Sequence, residues 1–462
     1  MDRSGLASPD VDETDGLATP RRNWAILSVG MAIAMTVLDS SIANVALPVI
    51  AHDFGARPAE SIWIVNAYQL AIVVSLLPLA ALGEIIGFRV VYRWGLAIFT
   101  LASLACALSH SLPALTAART LQGFGAAGVM SVNGGLVRFI FPLRLLGRGI
   151  GINAMVVSAA AAVGPSVASA ILALGPWPWL FAINIPVGVA ALTLAMFALP
   201  ANPLSGRRFD WLSAALNALM FGLVITGVDV VTRTSAKLQG LLEITLGVIF
   251  GTLLVRREWP RRRPLVPFDL LRDRQFTLSV VTSVASFAAQ MLAFVSLPFH
   301  LENGLHKSQV ATGLLMTPWP AAVAVMAPVA GWLSDRISVA LLCAIGLLAF
   351  SVGLASLAIL PSDASNLDIG WRMALCGVGF GLFQSPNNRM MLTAAPRERA
   401  GAAGGMLGTA RLTGQTVGAV LTAVLLELFA GAGETAALAA AAAFALAAAG
   451  VSILRRPRLN RS

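Results

Sequence analysis

Apolar runs of about 18 residues or more, long enough to cross a hydrocarbon layer as a helix, recur along this chain from Trp24 to Leu454. Short polar connections, many carrying Gly or Pro, separate them. The first block predicts six helices, at 24–48, 61–82, 91–110, 113–137, 149–173 and 179–199. Two more follow at 210–229 and 239–255, and the last block gives six again, at 276–299, 310–333, 338–360, 370–394, 403–428 and 435–454. The expected architecture is an all-α polytopic membrane protein of fourteen transmembrane helices, six plus two plus six.

Polar and charged intervals divide the chain. Residues 1–20 are polar and partly acidic (Asp10, Asp12, Glu13, Asp15) and predict a disordered tail. An N-terminal six-helix bundle (21–200), two inserted helices (201–256), a basic and amphipathic linker (257–275), a C-terminal six-helix bundle (276–454) and a basic tail (455–462) complete the division. Within the linker, Leu265, Phe268 and Leu271 against Asp269, Arg272, Asp273 and Arg274 predict a helix lying on the membrane surface. A weak repeat links the two bundles: Leu82-Gly83-Glu84-Ile85-Ile86-Gly87 and Leu333-Ser334-Asp335-Arg336-Ile337-Ser338 each close the second span of their block. Substrate sites of transporters built from such repeats lie near the midplane between the halves.

Composition narrows the class. The chain is 57% hydrophobic and 12% charged with mean hydropathy +0.80, against about 25% charged residues in soluble domains. The net charge of +10 raises nucleic acid as a partner, but the basic residues fall in short clusters between apolar runs. They are topology determinants beside anionic lipid headgroups. Arg21-Arg22, Arg89 and Arg93, Arg138, Arg144 and Arg148, Arg207-Arg208, Arg336, Arg389 and Arg399 mark one side, which the positive-inside rule makes cytoplasmic together with both termini. Cys106, Cys343 and Cys376 sit inside apolar spans without metal-ligand spacing, and the four histidines form no HExxH pair. No metal or cofactor is expected. With no GxSxG elbow and no P-loop, neither an enzyme nor an ATP-driven pump is expected, and a membrane sensor is a remote alternative because no sizeable soluble domain exists to signal through.

Asp39 carries the candidate chemistry. A carboxylate within a span is costly and by default has a partner and a task. At 1.5 Å per residue it lies about 22 Å from the start of the first helix. Arg119, in the inward-running fourth helix, lies about 21 Å from the same side of a ~30 Å core. If those helices are neighbours the two charges neutralise each other, with Gln122 one turn from Arg119 on the same face. Protonating Asp39 would then free Arg119 and shift an inward/outward equilibrium. The alternative is a static pair that only fixes helix packing.

Three motifs carry a resemblance. Leu38-Asp39-Ser40-Ser41-Ile42-Ala43-Asn44-Val45-Ala46-Leu47-Pro48, Arg119-Thr120-Leu121-Gln122-Gly123-Phe124-Gly125-Ala126-Ala127 and Trp177-Pro178-Trp179-Leu180-Phe181-Ala182-Ile183-Asn184-Ile185-Pro186-Val187-Gly188 resemble motifs of helices one, four and six in the fourteen-span drug:proton antiporters. These are the QacA/EmrB-like branch of the major facilitator superfamily. The resemblance implies a bacterial inner-membrane exporter of small hydrophobic or cationic drug-like compounds, powered by the proton gradient through Asp39 and Arg119. Its partners would be the substrate, protons and membrane lipids; oligomeric state is open and compatible with a monomer. It also implies a cytoplasmic latch in the loop after helix two. Here that loop keeps Glu84 and Arg89 but has Ala80 and Ile85 at positions of the family's Gly and Arg, so a weaker or differently paired latch is expected. The second copy, with Asp335 and Arg336, is nearer the family pattern.

Helix five retains Gly151, Gly164 and Pro165 of the antiporter pattern, with Ala160, Ala168 and Ser169 where glycines are expected. Small residues allow close helix approach and Pro165 favours a bend. The glycines of helix thirteen (Gly404, Gly405, Gly408, Gly414, Gly418) predict similar packing. Candidate substrate contacts are Trp63, Asn66, Tyr68, Gln122, Gln290, Phe294, Phe383, Gln384 and Asn387, polar or aromatic residues within spans. The rival function on the same fold is transport of a metabolite, sugar or siderophore with other energetics.

Overall fold

The structure is a computed structural model of the chain; it describes residues 16–455 except 57, 62, 234–235, 262–263, 265, 308, 362, 397–398 and 430–431. Most of the expected acidic tail and nearly all of the basic tail lie outside the described residues. Residues 16–20 are placed, and the Leu17 amide donates to the Ile140 carbonyl at 3.0 Å, so the tail joins the bundle sooner than the expected boundary.

The N-terminal half contains α1 (Arg21–Asp53), α2 (Pro58–Ser61), α3 (Trp63–Ile86), α4 (Phe88–Ala107), α5 (Leu112–Ile140), α6 (Leu146–Leu174), α7 (Trp179–Ala182) and α8 (Asn184–Ala198). The inserted hairpin is α9 (Trp211–Arg233) and α10 (Lys237–Glu258). The C-terminal half contains α11 (Arg274–Phe299), α12 (Gln309–Met316), α13 (Pro318–Leu333), α14 (Val339–Ala358), α15 (Asn366–Ala394), α16 (Ala400–Leu428) and α17 (Gly433–Ile453). Local chemistry sets several ends. The Ser111 and Asp273 side chains accept from the amides of Ala114 and Phe276, satisfying donors at the starts of α5 and α11. Gly87, at φ +108°, makes the abrupt turn between α3 and α4, a conformation L side chains rarely adopt.

Among the described residues, twelve stretches are long and apolar enough to cross a membrane. The expected fourteen apolar spans are thus reduced by two. Helices α5 and α15 are each 29 residues long, but Arg119, Gln122 and Arg138 in the first, and Arg372, Gln384, Asn387 and Arg389 in the second, lower their hydropathy.

The halves pack by one scheme. In the first, α5 lies against α3 and α4, α1 against α6 and α8, and α4 against α8. In the second, α15 lies against α13 and α14, α11 against α16 and α17, and α14 against α17. Across the seam, α3 meets α16 and α6 meets α13, again equivalent pairs. One core cluster surrounds Phe88, Tyr92 and Phe99, and another surrounds Trp319, Phe350 and Phe380. The first also takes in Leu392, Ala403 and Met406, so apolar packing crosses the seam near the start of α16. The outer surface is apolar: Leu101, Phe197, Leu238 and Leu242 are more than half exposed, as expected of lipid-facing positions.

The linker before α11 departs from expectation. In place of a surface helix, its described residues hold one short 3₁₀ turn, Leu270–Arg272. Pro264 and Pro267 remove amide donors, and Asp269 is drawn into an ion pair with Arg399. Arg21 donates to the carbonyls of Ala198 and Leu199, and Arg455 to that of Leu278. Both described ends of the chain therefore lie on one side of the bundle, called here the terminal side.

Candidate functional site

Asp39 sits in the middle of α1, 1% exposed, and is held from two other helices, α5 and α8. Arg119 of α5 donates Nη1–H to Oδ2 in an ion pair, while Gln122 Nε2 of α5 and Asn184 Nδ2 of α8 donate to Oδ1 at 2.9 and 2.8 Å. Gln122 also donates to Ser103 Oγ of α4 at 2.9 Å. Arg119 gives Nε–H to the Ile64 carbonyl at 3.2 Å and Nη1–H to Gln122 Oε1 at 2.6 Å. Its guanidinium carbon lies 4.1 Å from the centre of the Tyr68 ring and 5.5 Å from that of Phe181. The arginine thus has neutral acceptors and two aromatic faces besides the carboxylate, so neutralising Asp39 leaves it partly solvated.

Sequence reasoning named Asp39, Arg119 and Gln122; it held Asn184 only within a motif, with no role, and passed over Ser103. Asn184 was visible as a lone amide between Ile183 and Ile185. Ser103 resembles any small residue of a span and gave no signal.

Two acidic residues hold the seam on the terminal side. Glu84, at the end of α3 and 1% exposed, accepts from Arg399 Nη1 at 3.0 Å, Arg207 Nη2 at 3.1 Å and the Ala402 amide at 2.7 Å. The last bond caps the first turn of α16, where a carboxylate also meets the positive end of the helix dipole. Arg399 continues to Asp269 at 2.7 and 2.9 Å, so α3, the linker and α16 form one network. In the equivalent place Asp335, after α13, pairs with Arg389 of α15 at 3.0 Å. Burial pushes its carboxyl above the ordinary range, with Arg389 and the Gly147 amide pulling the other way. Arg389 also donates to the Ser334 carbonyl.

The expected latch partners need correction. Arg89 is exposed and outside the Glu84 network. Arg336 stacks over Trp332, 4.1 Å from the ring centre, and leaves Asp335 to Arg389. With Ile85 in the loop, the cations for Glu84 come from elsewhere: Arg207 from the segment after α8 and Arg399 from the other half of the molecule. Gly151 of α6 lies where a Cβ would come within 2.7 Å of the Ala327 carbonyl oxygen of α13, so the seam requires glycine there. Gly164 is buried in α6, which continues through 165 as helix; the side chain of Pro165 lies outside the described residues.

A cavity of about 680 Å³ lies between the halves. Its walls come from α1 (Thr36, Ser40), α3 (Trp63, Asn66, Tyr68, Gln69, Leu76), α5 (Met130), α6 (Ala161), α9 (Thr226), α11 (Met291) and α16 (Arg411, Gln415, Thr416). These positions run from the middle of the helices towards the side opposite the termini. Of the expected substrate contacts, Trp63, Asn66 and Tyr68 line it. Gln122 belongs to the Asp39 cluster instead. Gln290, Phe294, Phe383, Gln384 and Asn387 do not line it: Phe294 packs on Trp319 and Phe383 on Phe380, and Asn387 donates to Ser283 Oγ at 2.8 Å. Polar or aromatic character within a span marked them, yet Phe294, Phe383 and Asn387 serve packing inside the second half. Ser40, next to Asp39, faces the cavity, and so does Tyr68, whose ring covers Arg119. Arg411, which sequence reasoning passed over, is the only charged side chain among the described lining residues.

Comparison with known proteins places these features. The sequence pattern of the Major Facilitator Superfamily matches residues 29–419. The chain is 53% identical over 445 residues to an uncharacterized transporter, YebQ, of Escherichia coli K12, covering 96% of this chain and 97% of that protein. It is 31% identical to the riboflavin transporter RibZ of Clostridioides difficile strain 630, covering 85% of each. It is also 31% identical to the multidrug resistance protein Stp of Mycobacterium tuberculosis CDC 1551/Oshkosh, covering 87% of this chain and 75% of that protein.

Proposed function

The chain belongs to the major facilitator superfamily and is a multi-pass membrane transporter, not an enzyme; on that premise we propose that it exports small, mainly hydrophobic drug-like compounds in exchange for protons. The two halves would alternate access to the cavity. In this reading all fourteen long helical stretches cross a bacterial inner membrane with both termini cytoplasmic. Helices α5 and α15 are counted as crossings because they are packed inside the bundles, where their charged groups find protein partners. The basic residues of the terminal side, among them Arg21, Arg93, Arg257, Arg389 and Arg399, support that orientation. No cofactor is invoked; the proton gradient is the energy source.

One observation carries the proposal: a carboxylate sealed among Arg119, Gln122 and Asn184 adjoins, through Ser40 and Tyr68, the cavity shared by both halves. Protonating Asp39 removes the charge that holds Arg119 against α1 and loosens the link among α1, α5 and α8. Removing the proton restores it. A proton and a substrate then bias the same two-state element from neighbouring positions. Of the hydrophobic or cationic compounds expected from the sequence, the lining favours the hydrophobic ones, since no carboxylate among the described residues faces the cavity. A second reading, transport of a metabolite with other energetics, draws on equal identity to the named riboflavin and multidrug proteins.

The test is efflux from proteoliposomes under an imposed pH gradient, over a panel of dyes, drugs and flavins. Wild type should show gradient-dependent flux and Asp39→Asn only gradient-independent exchange. An Asp39→Asn variant that keeps full gradient dependence overturns the coupling role. Flux of flavins alone selects the second reading.

A further inference from the structure

Arg411 is an arginine in a place that charged side chains avoid. At 1.5 Å per residue it lies about 16 Å along α16 from Ala400, near the middle of a ~30 Å hydrocarbon core. Arg119, at comparable depth, is neutralised by Asp39, and Arg399, buried at the terminal-side end of α16, by Glu84 and Asp269. Among the described residues Arg411 has neither a carboxylate partner nor a hydrogen-bond acceptor; its guanidinium carbon lies 6.0 Å from the centre of the Phe287 ring. It is half-buried and faces the cavity. A charge at that depth is retained at a cost and marks a functional contact by default.

Its surroundings say which contact. Gln415, four residues on, shares its face of α16, and Thr416 joins the same wall. Across the cavity Asn66 and Gln69 add neutral polar groups, and Trp63 and Tyr68 present aromatic surface. A guanidinium with amides beside it matches a planar oxyanion, which it can bind through two parallel hydrogen bonds. The apolar and aromatic remainder matches a hydrophobic body, and about 680 Å³ accommodates a drug-sized molecule. We propose that Arg411 is the anion-binding group of the cavity and that the transported compounds are amphipathic carboxylates. The same charge repels organic cations. The assignment rests on the cavity being the substrate chamber, and it puts anionic compounds where the sequence suggested hydrophobic or cationic ones.

The test is equilibrium binding to the purified full-length protein in nanodiscs at neutral pH without a proton gradient, with three probes of one skeleton: 1-naphthaleneacetate, its neutral amide, and 1-naphthylethylammonium. Wild type should bind the carboxylate about tenfold or more tightly than the amide, the low end for a hydrogen bond to a charged group, and the ammonium most weakly. Arg411→Gln should bring the carboxylate-to-amide ratio near one, and Arg411→Lys should keep part of it. Gln415→Glu, which supplies an internal carboxylate to an intact Arg411, should also bring the ratio near one and covers the case in which the Arg411 variants do not fold. No carboxylate binding by wild type, a preference for the ammonium, or a carboxylate preference that persists in a folded Arg411→Gln or Gln415→Glu protein overturns the proposal. The assay uses no gradient, so failure of proton coupling leaves its result intact, and failure here leaves the coupling result intact.

Discussion

A carboxylate and a guanidinium sealed from water stabilise each other only as a pair. Removing either partner strands a buried charge, at about 3–5 kcal/mol, whereas replacing both with neutral groups is often near neutral. Asp39→Asn and Arg119→Gln should each lower stability by about that amount. The double variant should regain most of it while remaining uncoupled from the pH gradient. Denaturation of the detergent-purified proteins, beside proteoliposome flux, checks both halves; a double variant that recovers coupling would reduce the pair to a packing device. Asp39 and Arg119 were legible in the sequence because charge inside an apolar run is conspicuous and helix depth can be computed from position alone. The criterion applies equally to Arg411, between Ala410 and Leu412, although the glycines around it give that helix the look of a packing element. Asn184 and Ser103 were harder, since a small polar side chain in a span has many packing roles and its partner is known only once helices are placed.

Helices were the most legible elements, because a bilayer-length apolar run leaves the backbone few alternatives. The linker was not: its amphipathic spacing suggested a helix, and Pro264, Pro267 and the pull of Arg399 on Asp269 prevent one. The inserted hairpin shows what a sequence pattern leaves out. Its two helices are joined at their terminal-side ends by Asp210, which caps α9 through the amides of Leu212 and Ser213 at 3.1 and 3.2 Å and forms ion pairs with Arg257 and Arg261. Desolvation opposes ionisation there, but hydrogen bonds from Arg261, Ser213 and Arg257 outweigh it and hold the carboxyl well below the usual range. An acid whose folded pKa is depressed stabilises in full above its unfolded value, about 3.9, and loses that contribution as pH falls towards the folded value. Asp210→Asn should therefore be less stable than wild type by about 1–2 kcal/mol at neutral pH. The gap should close below about pH 4. Melting curves of both proteins from neutral to acid pH decide it; a gap independent of pH would assign Asp210 to packing rather than charge.

At the scale of the whole molecule, closure on the terminal side and an opening on the other belong together. Glu84 joins α3 to the start of α16, Asp335 holds Arg389 beside the crossing of α6 and α13, and apolar packing crosses the same seam, while the cavity occupies the opposite half. The repeat in the two loops was readable, but not which cation each acid would use, because Arg399, Arg207 and Arg389 come from distant segments. The two acids are pseudo-equivalent but unequal. Glu84 is buried and takes two arginines and a helix-capping amide, whereas Asp335 is half-buried and takes one arginine and the Gly147 amide. Glu84→Gln should consequently shift the population towards the state open on the terminal side more than Asp335→Asn, and the double variant most. A loss of about 1.4 kcal/mol from the closed state is tenfold in its population relative to the open one. Spin labels at Leu143→Cys and Ile337→Cys, exposed positions on opposite halves of that side, measure it, since the three native cysteines are buried. A second, longer distance should grow in that order of variants. Equal effects of the two single substitutions would mean that apolar packing along the seam, and not the Glu84 network, sets the closed state.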